Sequence, residues 1–150
     1  MASWAEFEAA KPDFAGRVRV LLTSRKHLTM ATLRSDGSPR ISGTEISIEA
    51  GRLTIGSMPR ARKALDLLRD PRVAIHGPTA DPPPDDPHGW TGEAKVAGRA
   101  VALADVDDSH AFEIDIEEAV ITSLGRDGKE DLLVIESWNP SRGYRKQARA

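Results

Sequence analysis

Apolar positions follow two rhythms along the chain. Through the N-terminal segment they recur every three or four residues, and from His27 onward they mostly alternate with polar ones. Ser3 followed by Glu6 has the spacing of a capping box and predicts a short helix through about Ala10. Pro12 suits the first turn of a second helix, with Phe14, Val18, Leu21 and Leu22 on one stripe. "HLTMATL" and "PRISGTEISIE" then read as strands joined by "RSDGS", where Asp36-Gly37 makes a hairpin turn. "EAGR" makes a second tight turn into "LTIGS", so a three-stranded meander is expected. A third helix follows, with Ala61, Ala64, Leu65 and Leu68 at helical spacing. Asp70-Pro71 ends it, because the residue before a proline is pushed out of the α region.

Further along, "RVAIH" reads as a short buried strand. "GPTADPPPDDPHG" holds five prolines in thirteen residues and predicts a loop stiffened toward polyproline conformation. "WTGEAKVAGRAVALA" is a long strand in which Gly98 marks a bulge. "DVDDSHAF" is a turn or short helical piece, and "EIDIEEAVITSL" pairs with "EDLLVIESW" across "GRDGK". No internal repeat or linker interrupts the chain, so residues 1–150 form one domain. Six or seven strands, mostly in consecutive hairpins, predict a mainly-β fold closing into a small antiparallel barrel with a few helices. Trp138 is expected to close the barrel, with the basic tail around "SRGYRK" crossing to a second subunit.

Composition removes several function classes. Lys and Arg total 21 against 23 Asp and Glu, and aromatics are 5%, which disfavours a nucleic-acid-binding barrel. With no cysteine, disulfides, thiol catalysis and Cys-ligated zinc are excluded. No apolar run approaches the ~20 residues of a membrane span. "MASWAEFEAAKPDF" is acidic where a signal peptide would be basic and then apolar, so the expected location is cytoplasmic. The four histidines show no ligand spacing, and no metal site is expected. Neither a Gly-x-Ser-x-Gly nor a Walker motif occurs, so hydrolase and P-loop readings lack support.

The segment "GSMPRARKALDLLRDPRVAIH", residues 56–76, packs four arginines and a lysine around the third helix. Arg60, Arg62 and Lys63 are expected in its first turn, where the helix dipole and unpaired N–H groups already carry positive charge. Either this is a solvated basic face, or an anion from outside sits among the cations, as phosphate does at helix N-termini. In the second strand Arg40, Ser42 and Thr44 share a face with Ile46 and Ile48, so the front half is polar where the back half is core. Polar groups there suit a bound polar ligand, with Gly43 allowing close approach, or else they bond neighbouring backbone. "DVDD" and "EIDIEE" make an acidic belt from Asp105 to Glu118, either solvated or facing a basic patch on a partner subunit.

"LTIGSMPRARKALDLLRDPRVAIH", "ATLRSDGSPRIS" and "AKVAGRAVAL" together resemble the pyridoxamine 5′-phosphate oxidase-like, FMN-binding split-barrel family, from about His27 to Leu103 and more loosely through "IESW". The resemblance implies a homodimeric split β-barrel with two flavin sites between the subunits. It implies that Arg62 and Lys63 grip the flavin phosphate, that Arg40 also reaches it, and that Ser57 lies against the phosphate and ring. Ser42 and Thr44 belong to the same candidate set. Trp90, opening the strand after the proline-rich loop, is either core or a stacking partner of the ring.

The departures matter too. The true oxidases place a lysine for the substrate phosphate five residues after the strand-two arginine, where this chain has Glu45; they also use an Arg-x-His pair near the C-terminus, and no histidine follows His110 here. Vitamin B6 oxidation is therefore disfavoured. The expected function is an FMN-dependent oxidoreductase acting on a small organic molecule. The alternatives are a reductase using the deazaflavin coenzyme F-420 and a flavin-binding protein without turnover.

Overall fold

The computed structural model describes residues 1–104 and 109–150. Two helices lead, α1 (Trp4–Ala10) and α2 (Pro12–Leu22). Four strands follow: β1 (Leu28–Leu33), β2 (Pro39–Thr44), β3 (Ile46–Glu49) and β4 (Arg52–Ser57). After α3 (Arg62–Arg69) come β5 (Arg72–His76), β6 (Glu93–Ala102), β7 (His110–Asp127), β8 (Glu130–Asn139) and β9 (Gly143–Arg149). Nine described strands replace the six or seven expected.

The local signals act as read. Ser3 Oγ accepts from the Glu6 N–H at 3.2 Å while the Glu6 carboxylate accepts from the Ser3 N–H at 2.7 Å, closing the capping box. Pro12 is the first residue of α2. Ala50 and Gly51 both take positive φ, 51° and 73°, in the turn between β3 and β4. The β6–β7 register shifts at Ala97/Gly98. A Cβ on Gly98 would come within 2.0 Å of the Asp115 carbonyl, so the bulge requires glycine.

The expected meander is not formed. The sheet path runs β2-β1-β5-β6-β7-β4-β3, all antiparallel, with β8 on β7 and β9 on β8. "PRISGTEISIE" breaks at Glu45: β2 pairs with β1, and β3 pairs with β4. Glu45 alone joins β2 and β3, which are the two ends of the seven-strand path. The sheet is thereby rolled until its ends meet, yet no ladder among the described residues joins β2 to β3. The roll is open where a closed barrel was expected.

The tail also differs from expectation. It returns as β9 along β8 of the same chain, with Ser137 opposite Arg145. Trp138 is buried and its ring lies 4.6 Å from that of Phe7, in an aromatic cluster with Trp4, Phe14 and Tyr144. α2 is pinned to this corner by Arg17, whose guanidinium gives two bonds to the Glu136 carboxylate at 2.7 and 2.6 Å, while Tyr144 donates to it at 2.6 Å. The Arg17 bonds hold the Glu136 carboxyl below its ordinary value against the effect of burial. Burial and that same carboxylate push the Tyr144 hydroxyl up to about 12.

In α3 the buried positions are Ala64, Asp66 and Leu67, whereas Leu65 and Leu68 of the expected stripe are exposed. Of the acidic belt, residues 105–108, the first half of the "DVDDSHAF" turn, lie outside the described residues. Glu113 and Glu117 pair within the chain, with Arg52 at 2.9 Å and Arg99 at 3.3 Å. The loop between β5 and β6 has no regular structure beyond one 3-10 turn at Pro87–Gly89. His88 lies against the β7–β8 hairpin, with Arg126 3.2 Å from its Nδ1 and Asp131 2.9 Å from its Nε2.

Candidate functional site

The start of α3 differs from an ordinary helix start. Ala61 is its N-cap and offers no side-chain cap, and the first turn contains no acid. The residue before it, Arg60, holds φ at +58°, a left-handed conformation uncommon outside glycine. The expectation that Arg60 lies in the first turn needs this correction: the helix begins at Arg62. Leading N–H groups are thus left without side-chain partners at the positive end of the helix dipole.

A cleft of about 660 Å³ opens at this point, within the size range of small-molecule and cofactor sites. Its walls are Gly43, Thr44 and Glu45 from the β2–β3 junction, and Gly56 and Ser57 from the end of β4. Met58, Pro59, Ala61 and Lys63 supply the helix side, and His27 and Ser109 the margins. Lys63 Nζ donates to the Gly43 carbonyl at 2.7 Å. Burial pushes the Lys63 pKa below the ordinary lysine value, and Glu45 only partly offsets this. Lys63 is thus a partly buried ammonium whose hydrogen-bond partner is a neutral carbonyl, with Glu45 acting on it only at longer range. A Cβ on Gly43 would meet no atom within 4 Å, so this wall stands clear of the protein and leaves room for a ligand.

Glu45, at the break between β2 and β3, is flanked by Lys26 Nζ at 3.6 Å and His27 Nε2 at 3.4 Å. Thr44 is buried and its hydroxyl turns to the Glu45 carbonyl at 3.2 Å.

The remaining candidates stand elsewhere. Arg40 and Arg62 line a second cavity, on the flank of α3 facing the β1–β2 turn. Arg40 Nε donates to Asp66 at 2.7 Å. Ser42 sits opposite Met30 in the β1–β2 ladder and lines neither cavity. Trp90 is half-buried and gives its indole N–H to the Ala80 carbonyl at 2.9 Å, holding the proline-rich loop. The structure therefore brings Thr44, Ser57 and Lys63 together, places Arg40 with Arg62, and leaves Ser42 and Trp90 apart.

Asp66 and His27 were not singled out from the sequence. An acid between two leucines in "ALDLL" is the signal for Asp66. Burial alone would raise this carboxyl, but donors on Arg40, Thr32 and Arg69 hold it at about 2. For His27 no comparable signal exists.

The sequence profile of the pyridoxamine 5′-phosphate oxidase family matches residues 14–136, which takes in most of α2, α3, both cavities and most of β8. The chain belongs to this family. Members of the pyridoxamine 5′-phosphate oxidase fold share its architecture at low identity. An FMN-binding protein of Nostoc punctiforme related to the oxidase matches with a TM-score of 0.57 at 14% identity, covering 100% of this chain and 98% of its own. PhzG of Burkholderia lata, solved with tetrahydrophenazine-1-carboxylic acid, matches with a TM-score of 0.62 at 10% identity, covering 97% and 92%. HutZ of Vibrio cholerae, a haem storage protein, matches with a TM-score of 0.54 at 15% identity, covering 72% and 90%. No curated protein matches. At these identities the likeness is one of fold, and the fold carries more than one ligand chemistry.

Proposed function

We propose that this protein is an FMN-dependent oxidoreductase working as a homodimer on a small organic molecule. The observation that carries the reading is the uncapped start of α3, where the partly buried Lys63 has a carbonyl as its hydrogen-bond partner. Family membership supports a flavin as the cofactor. FMN, when bound, supplies the redox chemistry. Lys63 and the leading N–H groups of α3 would hold the phosphate, and Ser57, Thr44 and the glycine walls would bound the ring. Arg40, Ser42 and Trp90 do not line the cleft, and Arg62 lines the neighbouring cavity with Arg40. Glu45 sets an acidic wall where the oxidases hold a substrate phosphate, which favours a substrate without one.

Support for the dimer comes from the outer face of the sheet. Ile41, Ala31, Ala74 and Ala97 lie in cross-strand register over β2, β1, β5 and β6, forming an apolar trough of about 400 Å³. Ile41 is 75% exposed there. Thr29, on the trough margin, stands opposite Gly43 of the cleft, so a second copy seated on the trough would border the cofactor.

Mass spectrometry of the ligand that co-purifies tests the cofactor directly, and finding haem or a deazaflavin in place of FMN would overturn it. Flavin-fluorescence titration tests the cleft. Lys63→Ala removes a charge-assisted contact of roughly 1.5–3 kcal/mol, and FMN affinity should fall about 10- to 150-fold. The apo-protein should melt within about 3 °C of wild type, since a cation at a helix start is unfavourable without its anion. Equal affinities would remove Lys63 from the site.

A further inference from the structure

His27 and Glu45 face each other where the two ends of the rolled sheet meet. The β1–β2 ladder ends with Leu28 opposite Thr44, so His27 and Glu45 fall on the next rung, and His27 Nε2 lies 3.4 Å from Glu45 Oε1. Strand alternation puts them on the same face as the Thr29–Gly43 and Ala31–Ile41 rungs. That is the face of the apolar trough, while His27 and Glu45 themselves line the cleft. The pair thus stands where trough and cleft adjoin. In a single chain the His27 side chain is 78% exposed. A second copy seated on the trough would reach this rung and exclude water from it, and an ion pair strengthens as water leaves.

Reduction in such a cleft needs a proton source. When a hydride reaches one end of a polarised C=O or C=C bond, the bonding pair moves to the other end, and a proton must arrive there. The titratable side chains lining the cleft are His27, Glu45 and Lys63. Lys63 is committed to the Gly43 carbonyl, and a carboxylate accepts protons without donating them. The hydroxyls of Thr44 and Ser57 are turned to the carbonyls of Glu45 and Met58. Imidazole is the side chain that exchanges protons near neutral pH. Glu45 stands at its Nε2 and leaves Nδ1 for a substrate. The other charged groups facing the pair are Lys26, with Nζ 3.6 Å from the same Glu45 oxygen, and Lys63 on the helix side of the cleft.

We propose that His27 is the proton donor of the cleft, with Glu45 as its positioning residue; the proposal rests on the flavin reading above. The step balances. Two electrons leave the reduced flavin with the hydride, the proton leaves His27 Nδ1, and solvent restores it. The substrate class is quinones and other conjugated carbonyl compounds, whose reduction ends on an oxygen that takes up a proton.

The first test does not depend on turnover. Proton NMR follows the His27 ring, assigned by its absence from His27→Gln, through pH titrations of the flavin-free and FMN-loaded protein. FMN should shift the His27 midpoint, and Glu45→Gln should move it to lower pH, because a neighbouring carboxylate favours imidazolium. Stopped-flow reoxidation of the reduced, FMN-loaded protein is the second test. Menadione takes up protons with its electrons, whereas ferricyanide takes electrons alone. The ratio of menadione to ferricyanide rates should fall about 100-fold in His27→Gln. In wild type the ratio should fall as pH rises through the histidine range; in the variant it should stay level there. Far-UV circular dichroism checks that the variants are folded. A His27 midpoint indifferent to FMN and to Glu45→Gln, or an unchanged rate ratio in His27→Gln, would overturn the proposal. A chain that binds no FMN would instead end the flavin reading and this proposal with it, so the two failures are told apart by whether flavin is bound.

Discussion

Arg17 is half exposed while Glu136 is buried, so the two sides of their contact have unequal prospects when it is broken. In Arg17→Ala the carboxylate stays buried with Tyr144 as its remaining side-chain donor, and the cost at neutral pH should be about 3 kcal/mol. The pH dependence gives the mechanism away. In wild type the Glu136 pKa is lowered on folding, so its contribution is present above the unfolded carboxyl value and lost as pH falls through the folded one. The variant lacks the Arg17 share of that lowering, which is the largest. Its deficit in chemical denaturation should therefore be full at pH 7 and shrink below the ordinary carboxylate range; a deficit independent of pH would show that packing, not charge, was lost. Single side chains were also where sequence reading was least secure. The spacing of Ala61, Ala64, Leu65 and Leu68 gave a plausible inward stripe on α3. Three donors waiting for Asp66 rotate the helix so that Leu65 and Leu68 face out. No local pattern announces that partnership, because Thr32 and Arg40 lie on other elements.

Among the secondary elements, the turns and caps were the legible part. The capping box at Ser3, the turn at Ala50-Gly51, the stop at Asp70-Pro71 and the bulge at Gly98 each depend on neighbours in the chain and appear where expected. The break at Glu45 was not legible, because Arg40, Ser42, Thr44, Ile46 and Ile48 keep one unbroken alternation while the pairing partner changes from β1 to β4. β9 was missed for a different reason: in "GYRKQAR" charged residues interrupt the alternation and Tyr144 is the one large ring, as suits an edge strand guarded by charge. The bulge allows a sharp test. Gly98→Ala would drive a methyl into the Asp115 carbonyl, and backbone on both strands would have to move. A loss of about 3 kcal/mol or more is expected in denaturant unfolding, against ~1 kcal/mol or less for Gly37→Ala, where only the positive φ is at stake. Equal losses would mean that the β6–β7 register can slip.

For the molecule as a whole, the sheet leaves its alanine row uncovered. Wild type is expected to sediment as a dimer at micromolar concentration. Ala74→Arg, a long cation at the centre of the trough, should yield a folded monomer with weakened FMN binding, because the trough borders the cleft. Sedimentation of wild type as a monomer would sink the proposed assembly.

The topology also dictates an order of assembly. β7 carries the partners of β4, β6 and β8, and Ser57 at the end of β4 is paired with His110. A chain emerging from the ribosome thus presents Lys63 and α3 long before the strand that anchors the opposite wall exists. Contacts this distant in sequence form late and slowly. Whatever ligand the cleft takes is met by a nearly finished fold, so it acts as a lock on the completed molecule and not as a template for making it.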